Sequence, residues 1–224
     1  MKLSAALKSC LTTIALGLLV VAHVPAARAG EQATLPVGIR EGKLEFDGIL
    51  DEPFWRTAAS IDSLTMVEPN VNQPASLRTV VKIVADDENI ILGIVCYDDP
   101  QAITAYSKAR DVDLGDEDHI KFVFDTYRDE RNGFVFAVNP FGARYDALVA
   151  DRGEGENSNW DGVWDAKTSI TADGWSVEIV IPIKTLSFKR DLREWGFNIE
   201  RRIQRMLEKD RWSAIQQDYQ VISL

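Results

Sequence analysis

The sequence has little cysteine and little histidine, with two of each among 224 residues. Cys10 lies near the start of the chain, ahead of an apolar run, which leaves Cys96 as the only cysteine of the remainder. An intramolecular disulfide within that remainder is therefore excluded, and packing or a bound metal has to stabilise the fold. Cys96 lies in the apolar stretch 90–97, which predicts a small buried side chain.

The sequence also lacks the common catalytic motifs. His119 is the one histidine beyond the first 29 residues, and no G-x-S-x-G, H-E-x-x-H or C-x-x-C pattern occurs. These absences argue against a nucleophilic triad and against zinc catalysis. Two carboxylates suffice for glycoside hydrolysis, but among 35 acidic residues such a pair arises by chance. Whether the chain is an enzyme stays open; an associated activity would be hydrolysis of O-glycosyl compounds by a larger chain.

Positive charge is in short supply, with 25 Lys and Arg against 35 Asp and Glu and a net charge of −10. This balance disfavours nucleic acid and anionic membranes as partners, and it is compatible with neutral ligands and cations. Residues 1–29 have the pattern of a secretory signal peptide, with Lys2 and Lys8, an apolar run and Ala27-Arg28-Ala29. We expect an exported protein (periplasmic, outer-membrane-associated or secreted) with residues 30–224 as one domain.

Short strand patterns dominate the rest of the chain, and the clearest are three in succession over residues 118–151. From 120 to 124 every second residue is apolar and large, which is the period of a half-buried strand. Arg131-Asn132-Gly133 predicts a tight hairpin turn, because Asn-Gly accepts positive φ angles. Asn139-Pro140-Phe141-Gly142 predicts a second turn. The stretch predicts a meander whose apolar face needs another sheet to cover it.

Further strands are predicted on both sides of the meander. Residues 43–46 suggest a first strand, and a helical turn follows near Pro53. Residues 79–97 and 165–183 each suggest a hairpin. Many short strands with few helices predict an all-β fold, an antiparallel β-sandwich with short helical turns.

Four ordered pieces of the sequence carry a resemblance to a known family. They are LEFDGILDEPFW (44–55); the hairpin 79–97 with Asp98-Asp99-Pro100; Arg110-Asp111 with the meander up to residue 142; and WDGVW (160–164) with GWSVEIVIP (174–182) and WGFN (195–198). In this order they resemble the family 9 carbohydrate-binding module, within the DOMON-like group of β-sandwiches. The resemblance covers most of residues 40–212.

The resemblance implies a jelly-roll or DOMON-like sandwich that binds a glycan or oligosaccharide without catalysis. Its strongest likeness is to copies at the N-terminus of bacterial outer-membrane-barrel proteins. That likeness implies attachment to a barrel or to a catalytic domain, in polysaccharide breakdown or glycan capture.

Candidate ligand contacts follow from the chemistry of sugars, whose C–H faces stack on aromatic rings while their hydroxyls bond polar side chains. Trp160 is the best predicted platform because its neighbours are polar, with an exposed loop anchor as the alternative. Trp164 is a predicted second wall, and core packing explains it equally well. The region that resembles the family's ligand face adds Arg110, Asp111, Asn139, Asp146 and Asn157 as predicted polar contacts. The alternative is local turn capping by the Asp and Asn side chains, and for Arg110 with Asp111 also a structural ion pair.

A structural Ca²⁺ is predicted in the acidic loop before the meander. The predicted ligands are Asp111, Asp113, Asp116 and Asp118. Ca²⁺ takes six to eight oxygen ligands, but the spacing here is not that of an EF-hand. Members of the resembled family can carry structural Ca²⁺, and Asp47 and Asp51 are alternative ligands. A solvated acidic loop is the other interpretation.

Two further functions stay open at this stage. Haem binding is known among DOMON relatives and would need His119, Met66 or Met206 as axial ligand. A protein-docking, periplasmic domain of a larger outer-membrane protein would instead face its partner with sandwich edges and acidic loops.

Overall fold

The computed structural model describes residues 33–150 and 155–213, and the predicted signal peptide lies outside them. Within these residues the chain forms thirteen strands, numbered in chain order, and one short helix, α1 (Pro53–Thr57). Two 3-10 turns follow at Ile183–Thr185 and Gln204–Met206. None of the helices in the described ranges is long and apolar enough to cross a membrane.

The first sheet has six of the described strands: β1 (Gly38–Ile39), β2 (Ser60–Ile61), β4 (Thr79–Ala85), β5 (Asn89–Tyr97), β10 (Asp165–Thr171) and β11 (Gly174–Pro182). Its order is β1-β4-β5-β11-β10, and β2 also pairs with β4. The pairing of β1 with β4 is parallel, and the others are antiparallel. The two hairpins predicted from the sequence are β4–β5 and β10–β11.

The second sheet has seven of the described strands: β3 (Thr65–Glu68), β6 (His119–Asp125), β7 (Gly133–Val138), β8 (Arg144–Ala150), β9 (Gly155–Asn157), β12 (Gly196–Ile203) and β13 (Glu208–Arg211). Its order is β3-β13-β12-β6-β7-β8-β9, all antiparallel. The predicted meander is β6–β7–β8, at the centre of this sheet.

The core lies between the inner faces of the two sheets. Phe122 and Phe136 of the second sheet stack with ring centroids 5.3 Å apart, and Trp175 and Ile179 of the first sheet are equally buried. Burying each such side chain contributes about 1.5–3 kcal/mol before the entropic cost. Cys96 lies in the same core and is fully buried, as predicted. The prediction of an all-β sandwich is therefore confirmed.

A buried arginine ties the two sheets together at one end of the sandwich. Arg201 of β12 is 1% exposed and points inward. It donates hydrogen bonds to the Tyr97 carbonyl at 3.0 Å, to Thr79 Oγ1 at 3.1 Å and to Asp98 Oδ2 at 3.2 Å. Because Arg201 points inward, its neighbours on β12 point outward.

Two local predictions are wrong. Residues 43–46 are not a strand, because backbone amides of this segment bond side chains: Glu45 N donates to Glu52 and Asp47 N donates to Glu178. The tight turn at 131–133 is a longer loop, because β6 ends at Asp125 and β7 begins only at Gly133. The Asp125 carboxylate accepts hydrogen bonds from the loop amides at positions 127 and 130 and holds the loop in place.

Candidate functional site

A groove of about 660 Å³ crosses the outer face of the second sheet. Each of the seven described strands of that sheet contributes at least one side chain to its lining, and the loop 111–115 forms a wall. The residues that the following paragraphs use are Glu68, Lys121, Tyr145, Glu156, Arg202 and Lys209. Clefts of roughly 300–1,000 Å³ are the usual size for small-molecule sites.

Strand alternation explains why polar side chains reach this face. On β6, Ile120 and Phe122 point into the core, so His119 and Lys121 point outward. On β12 the same alternation turns Arg202 outward, where it is paired in register with His119. The groove floor is therefore built on rigid strands rather than on loops.

Ion pairs and hydrogen bonds fix the floor at both ends. Lys121 Nζ donates to Glu156 Oε1 at 2.6 Å, and the Tyr145 hydroxyl donates to Glu156 Oε2 at 2.9 Å. At the other end Lys209 Nζ lies 3.1 Å and Arg202 Nη1 3.6 Å from the Glu68 carboxylate. The cationic side chains of the lining are thus each matched with a carboxylate.

The pKa values on the floor follow from burial and from these pairs. Burial raises the pKa of the Glu156 carboxyl, but Lys121 and then Tyr145 outweigh it and hold that pKa below its usual range. Burial, followed by the hydrogen bond to Glu156, raises the pKa of the Tyr145 hydroxyl. Burial lowers the pKa of His119, so its ring is neutral at physiological pH.

The loop wall packs on the sheet through apolar contacts. Leu114 is 5% exposed and lies against Ala137 and Ala143. Asp111, at the start of the wall, has a left-handed backbone with φ of 59°, and its amide donates to the Arg144 carbonyl at 2.8 Å. Asp111 and Asp113 line the groove from this wall with exposed side chains.

Beside the wall, Arg110 is the centre of an acidic cluster. Its guanidinium donates to Asp146 Oδ1 at 2.7 Å and to the Gly162 carbonyl at 3.0 Å, and it pairs with Asp161. Its Nε lies 3.6 Å from Asp111 Oδ2, beyond hydrogen-bonding distance. Arg110 therefore links the groove wall to the 157–164 loop.

Asp146 holds that loop from below. Its carboxylate is fully buried and accepts hydrogen bonds from Gly162 N at 2.7 Å and from Trp164 Nε1 at 2.9 Å. Trp164 is 5% exposed and packs edge-on against Phe136, with centroids 5.1 Å apart. This geometry matches a structural role for Asp146 and core packing for Trp164. Ligand contact by either residue stays a prediction.

Of the other three predicted ligand contacts, Asn157 and Trp160 share one turn, in which Trp160 N donates to the Asn157 carbonyl at 3.4 Å, and the third is Asn139. Trp160 is partly buried, and its ring packs on Phe134 and Phe136 with centroids 5.2 Å and 6.0 Å apart. Asn157 is exposed on β9 and accepts a bond from the amide at position 159. Asn139 is fully buried and caps its turn by accepting from Phe141 N at 3.0 Å and from Ala143 N at 2.8 Å. Of the seven predicted contacts, Asp111 lines the groove, and Arg110 and Asp146 lie behind it.

The four predicted calcium ligands do not share one environment. Asp111 and Asp113 line the groove wall, and Asp116 is exposed nearby. Asp118 is buried, and its two oxygens accept hydrogen bonds from backbone amides at 104 and 204. In the part of the chain that the structure describes, no three acidic, His or Cys side chains are grouped so as to hold a metal ion. The calcium site stays a prediction.

Sequence reasoning missed most of the groove floor. Lys121, Tyr145, Glu156 and Arg202 were not among the predicted contacts, although Lys121 lies in the alternating run that predicted β6. The sequence signal that could have found them is the set of polar residues that alternate with the core-facing residues of each strand. Because those positions face away from the core, polar side chains that several strands place there gather on one surface.

Comparison with known proteins agrees with this architecture. No protein-family model matches the chain, and no curated protein matches it by sequence. A solved protein from Bacteroides uniformis, described provisionally as carbohydrate-binding, is similar with a TM-score of 0.62 and 12% identity, over 79% of this chain and 87% of that one.

Two further solved structures are of a family 9 carbohydrate-binding module from Caldicellulosiruptor kristjanssonii. The complex with glucose has a TM-score of 0.54 and 15% identity, over 78% of this chain and 83% of that one. The complex with cellotriose has a TM-score of 0.54 and 14% identity, over 78% and 82%. Sequence order, sheet topology and these likenesses agree that the chain has the fold of the family 9 carbohydrate-binding modules.

Proposed function

We propose that this chain binds carbohydrate without catalysing its breakdown. The observation that carries the proposal is the groove across the second sheet, with its polar side chains fixed on rigid strands. The likeness to modules solved with glucose and cellotriose supports it. Solvent-accessible polar groups held in place are suited to a hydroxyl-rich ligand because little side-chain entropy is lost on binding.

The pairs on the floor have spare hydrogen-bonding capacity. The Lys121 ammonium has three donors and uses one on Glu156. The Glu68 and Glu156 carboxylates each have about four lone-pair sites. A sugar hydroxyl both donates and accepts, so it can bond both members of a pair at once. A hydrogen bond to a charged group contributes about 1.5–3 kcal/mol, and a few of them give weak to moderate affinity.

The loop cluster beside the groove belongs to the same proposal. Asp111 lines the groove next to Arg110 in the chain, and we expect the partly buried Trp160 to offer a ring for stacking. Aromatic contacts contribute roughly 0.5–1.5 kcal/mol beyond the area that they bury. Trp160, Arg110 and Asn157 would therefore add to the groove, while Asp146 positions the loop that carries Trp160.

The sequence pattern supports a proposal for the setting of this activity. A signal peptide over residues 1–29 would export the chain, and the sequence resemblance supports a place beside a catalytic or outer-membrane-barrel domain. The module would then hold a glycan near an enzyme or a transporter that acts on it, as in polysaccharide breakdown or glycan capture.

Calorimetry and pull-down on a panel of soluble and insoluble glycans test the function directly. The purified chain should bind at least one glycan, and Asp111→Ala and Trp160→Ala should bind it more weakly. Circular dichroism of each variant establishes that it is folded. A folded wild-type protein that binds no glycan of the panel would refute the proposal and favour a protein-docking domain instead.

A further inference from the structure

We propose that the edge of the second sheet formed by β3 and β13 opens locally when the buried carboxyl group of Asp210 loses its proton. Asp210 lies on β13, two residues after a second buried carboxyl group, that of Glu208. Both side chains are in the interior, whereas Lys209 between them lines the groove. The two carboxyl groups therefore form a proton-controlled element behind one end of the groove.

The Asp210 carboxyl group has no partner that would stabilise its charge. It is fully buried, and neither of its oxygens accepts a hydrogen bond from a described residue. Arg201 is its register partner on β12 and is also buried. The Arg201 guanidinium donates instead toward the first sheet, to Thr79, Tyr97 and Asp98. Because burying an unpaired carboxylate is costly, the fold accommodates Asp210 in its protonated form.

Glu208 fixes the chain between β3 and β4 to β13. It is 2% exposed, and its Oε1 accepts a hydrogen bond from Ser76 N at 2.7 Å. A protonated Asp210 can donate to Glu208, and burial followed by this neighbour raises the pKa of Asp210 to about 8. One shared proton thus removes the charge of Asp210 and leaves Glu208 free to hold Ser76.

Ionisation of Asp210 places two like charges side by side in the interior. The charged residues on β13 besides Asp210, and on the two strands paired with it, are Glu208, Lys209 and Arg211 on β13, Glu200, Arg201 and Arg202 on β12, and Glu68 on β3. Each cation of this set already has a carboxylate partner: Lys209 and Arg202 have Glu68, Arg211 has Glu200, and Arg201 has Asp98. An ionised Asp210 would have to take a cation from one of these pairs or reach water.

The position of the two strands makes water the easier choice. β3 is an edge strand, and both β3 and β13 have four residues. The register between them shifts at Lys209/Asp210. Short edge elements open at a lower free energy than the whole domain unfolds. Opening hydrates Asp210, and it also displaces Glu68 and Lys209, which line the groove.

Hydrogen exchange of the purified chain at pH 6 and pH 9, followed by mass spectrometry, tests the proposal. After correction for the intrinsic exchange rate, protection of β3 and β13 should fall by about ten-fold more than that of the central strand β7. This factor is expected because opening gains about ten-fold for each pH unit above the pKa of Asp210. An equal change of protection in β3, β13 and β7 of the wild-type protein overturns the proposal, and this comparison needs no variant.

Asp210→Asn provides the second measurement. The Asn side chain cannot ionise but can still donate to Glu208, so the additional loss of protection at β3 and β13 should disappear. Asp165→Asn is the matched control, because Asp165 is 56% exposed on β10 of the other sheet and the variant should exchange as wild type does. A folded Asp210→Asn variant that keeps the wild-type pH dependence at β3 and β13 would assign the opening to another group and refute the role of Asp210.

Discussion

Lys121 reaches over two strands to Glu156, and their side-chain atoms lie 2.6 Å apart. Lys121 is in register with Ala137 and Ala137 with Tyr145, whereas Glu156 is paired with Val149, so the contact runs diagonally over β7 and β8. Both side chains are about a quarter to a third exposed, at 24% and 32%. The pair therefore lies at the boundary between protein and water, where a ligand can reach it.

Removing this pair should cost little stability. Lys121→Met keeps the apolar stem and removes the charge, and partly exposed ion pairs contribute about 0–1 kcal/mol. We expect the free energy of unfolding, measured by urea denaturation, to fall by about 1 kcal/mol or less. A loss above about 2 kcal/mol would mean that the pair is a structural element of the sheet rather than an accessible surface group.

Asp146 should behave in the opposite way. Asp146→Ala leaves Gly162 N and Trp164 Nε1 without their acceptor, and each unsatisfied buried donor costs about 1–3 kcal/mol. We expect a loss of about 2–4 kcal/mol in urea denaturation together with altered tryptophan fluorescence. Asp165→Ala is the control, because the Asp165 side chain is 56% exposed and loss of its pair with Arg144 should cost about 1 kcal/mol or less. Equal losses in the two variants would show that Asp146 does not hold the loop.

Stability should depend on pH through Asp210. Burial, followed by the neighbouring Glu208, raises the pKa of the Asp210 carboxyl to about 8, and Arg201 opposes the shift. The folded state thus holds a proton that the unfolded chain loses near its ordinary pKa of about 4. Its stabilisation is fully present below about pH 4 and is lost as the pH rises through about 8.

The matched variant isolates this effect. Asp210→Asn resembles the protonated form, so its free energy of unfolding should decline less than that of wild type between about pH 5 and 8. At pH 8 the variant should be the more stable protein by an amount of order kcal/mol, since one pKa unit corresponds to about 1.4 kcal/mol. Parallel pH profiles from urea denaturation of the two proteins would contradict the assignment.

The predicted calcium site is testable by thermal unfolding. If Asp111 and Asp113 help to bind Ca²⁺, the ion should raise Tm, because a ligand that binds only the folded state stabilises it by about 2.7 kcal/mol at one hundred times its Kd. A chelator should reverse the rise, and Asp113→Asn should abolish it, with Asp62→Asn as a control outside the loop. Identical melting curves with Ca²⁺ and with chelator would contradict the prediction of a calcium site in this loop.

The sequence could predict the sandwich because strand alternation is a local signal. The meander, two hairpins and the burial of Cys96 all followed from runs of fewer than about ten residues. The prediction of a first strand at 43–46 was wrong because the segment's hydrogen-bond partner is distant in the sequence. The amide of Asp47 bonds Glu178, 131 residues away, so this segment binds side chains instead of a neighbouring strand.

The candidate site was less predictable because it depends on which strands become neighbours. Asp146 shares a strand face with Leu148, which packs toward the core, so alternation alone could have placed its carboxylate inward. The contact of Lys121 with Glu156 could not be foreseen, since it needs both the strand order and the register of four strands. The sequence shows which strand positions are polar and face away from the core. It does not show that the strands bring these positions together in one groove.

The most direct measurement is glycan binding by Lys121→Met beside Lys167→Met. Both variants lose one lysine from a strand, but Lys121 lies in the groove and Lys167 lies on the other sheet. Using the glycan that binds wild type most tightly, calorimetry should show about a ten-fold loss for Lys121→Met, because a hydrogen bond to a charged group is worth about 1.5–3 kcal/mol. Lys167→Met should bind as wild type does. Equal affinities for all three folded proteins would contradict the claim that carbohydrate binds in the groove of the second sheet.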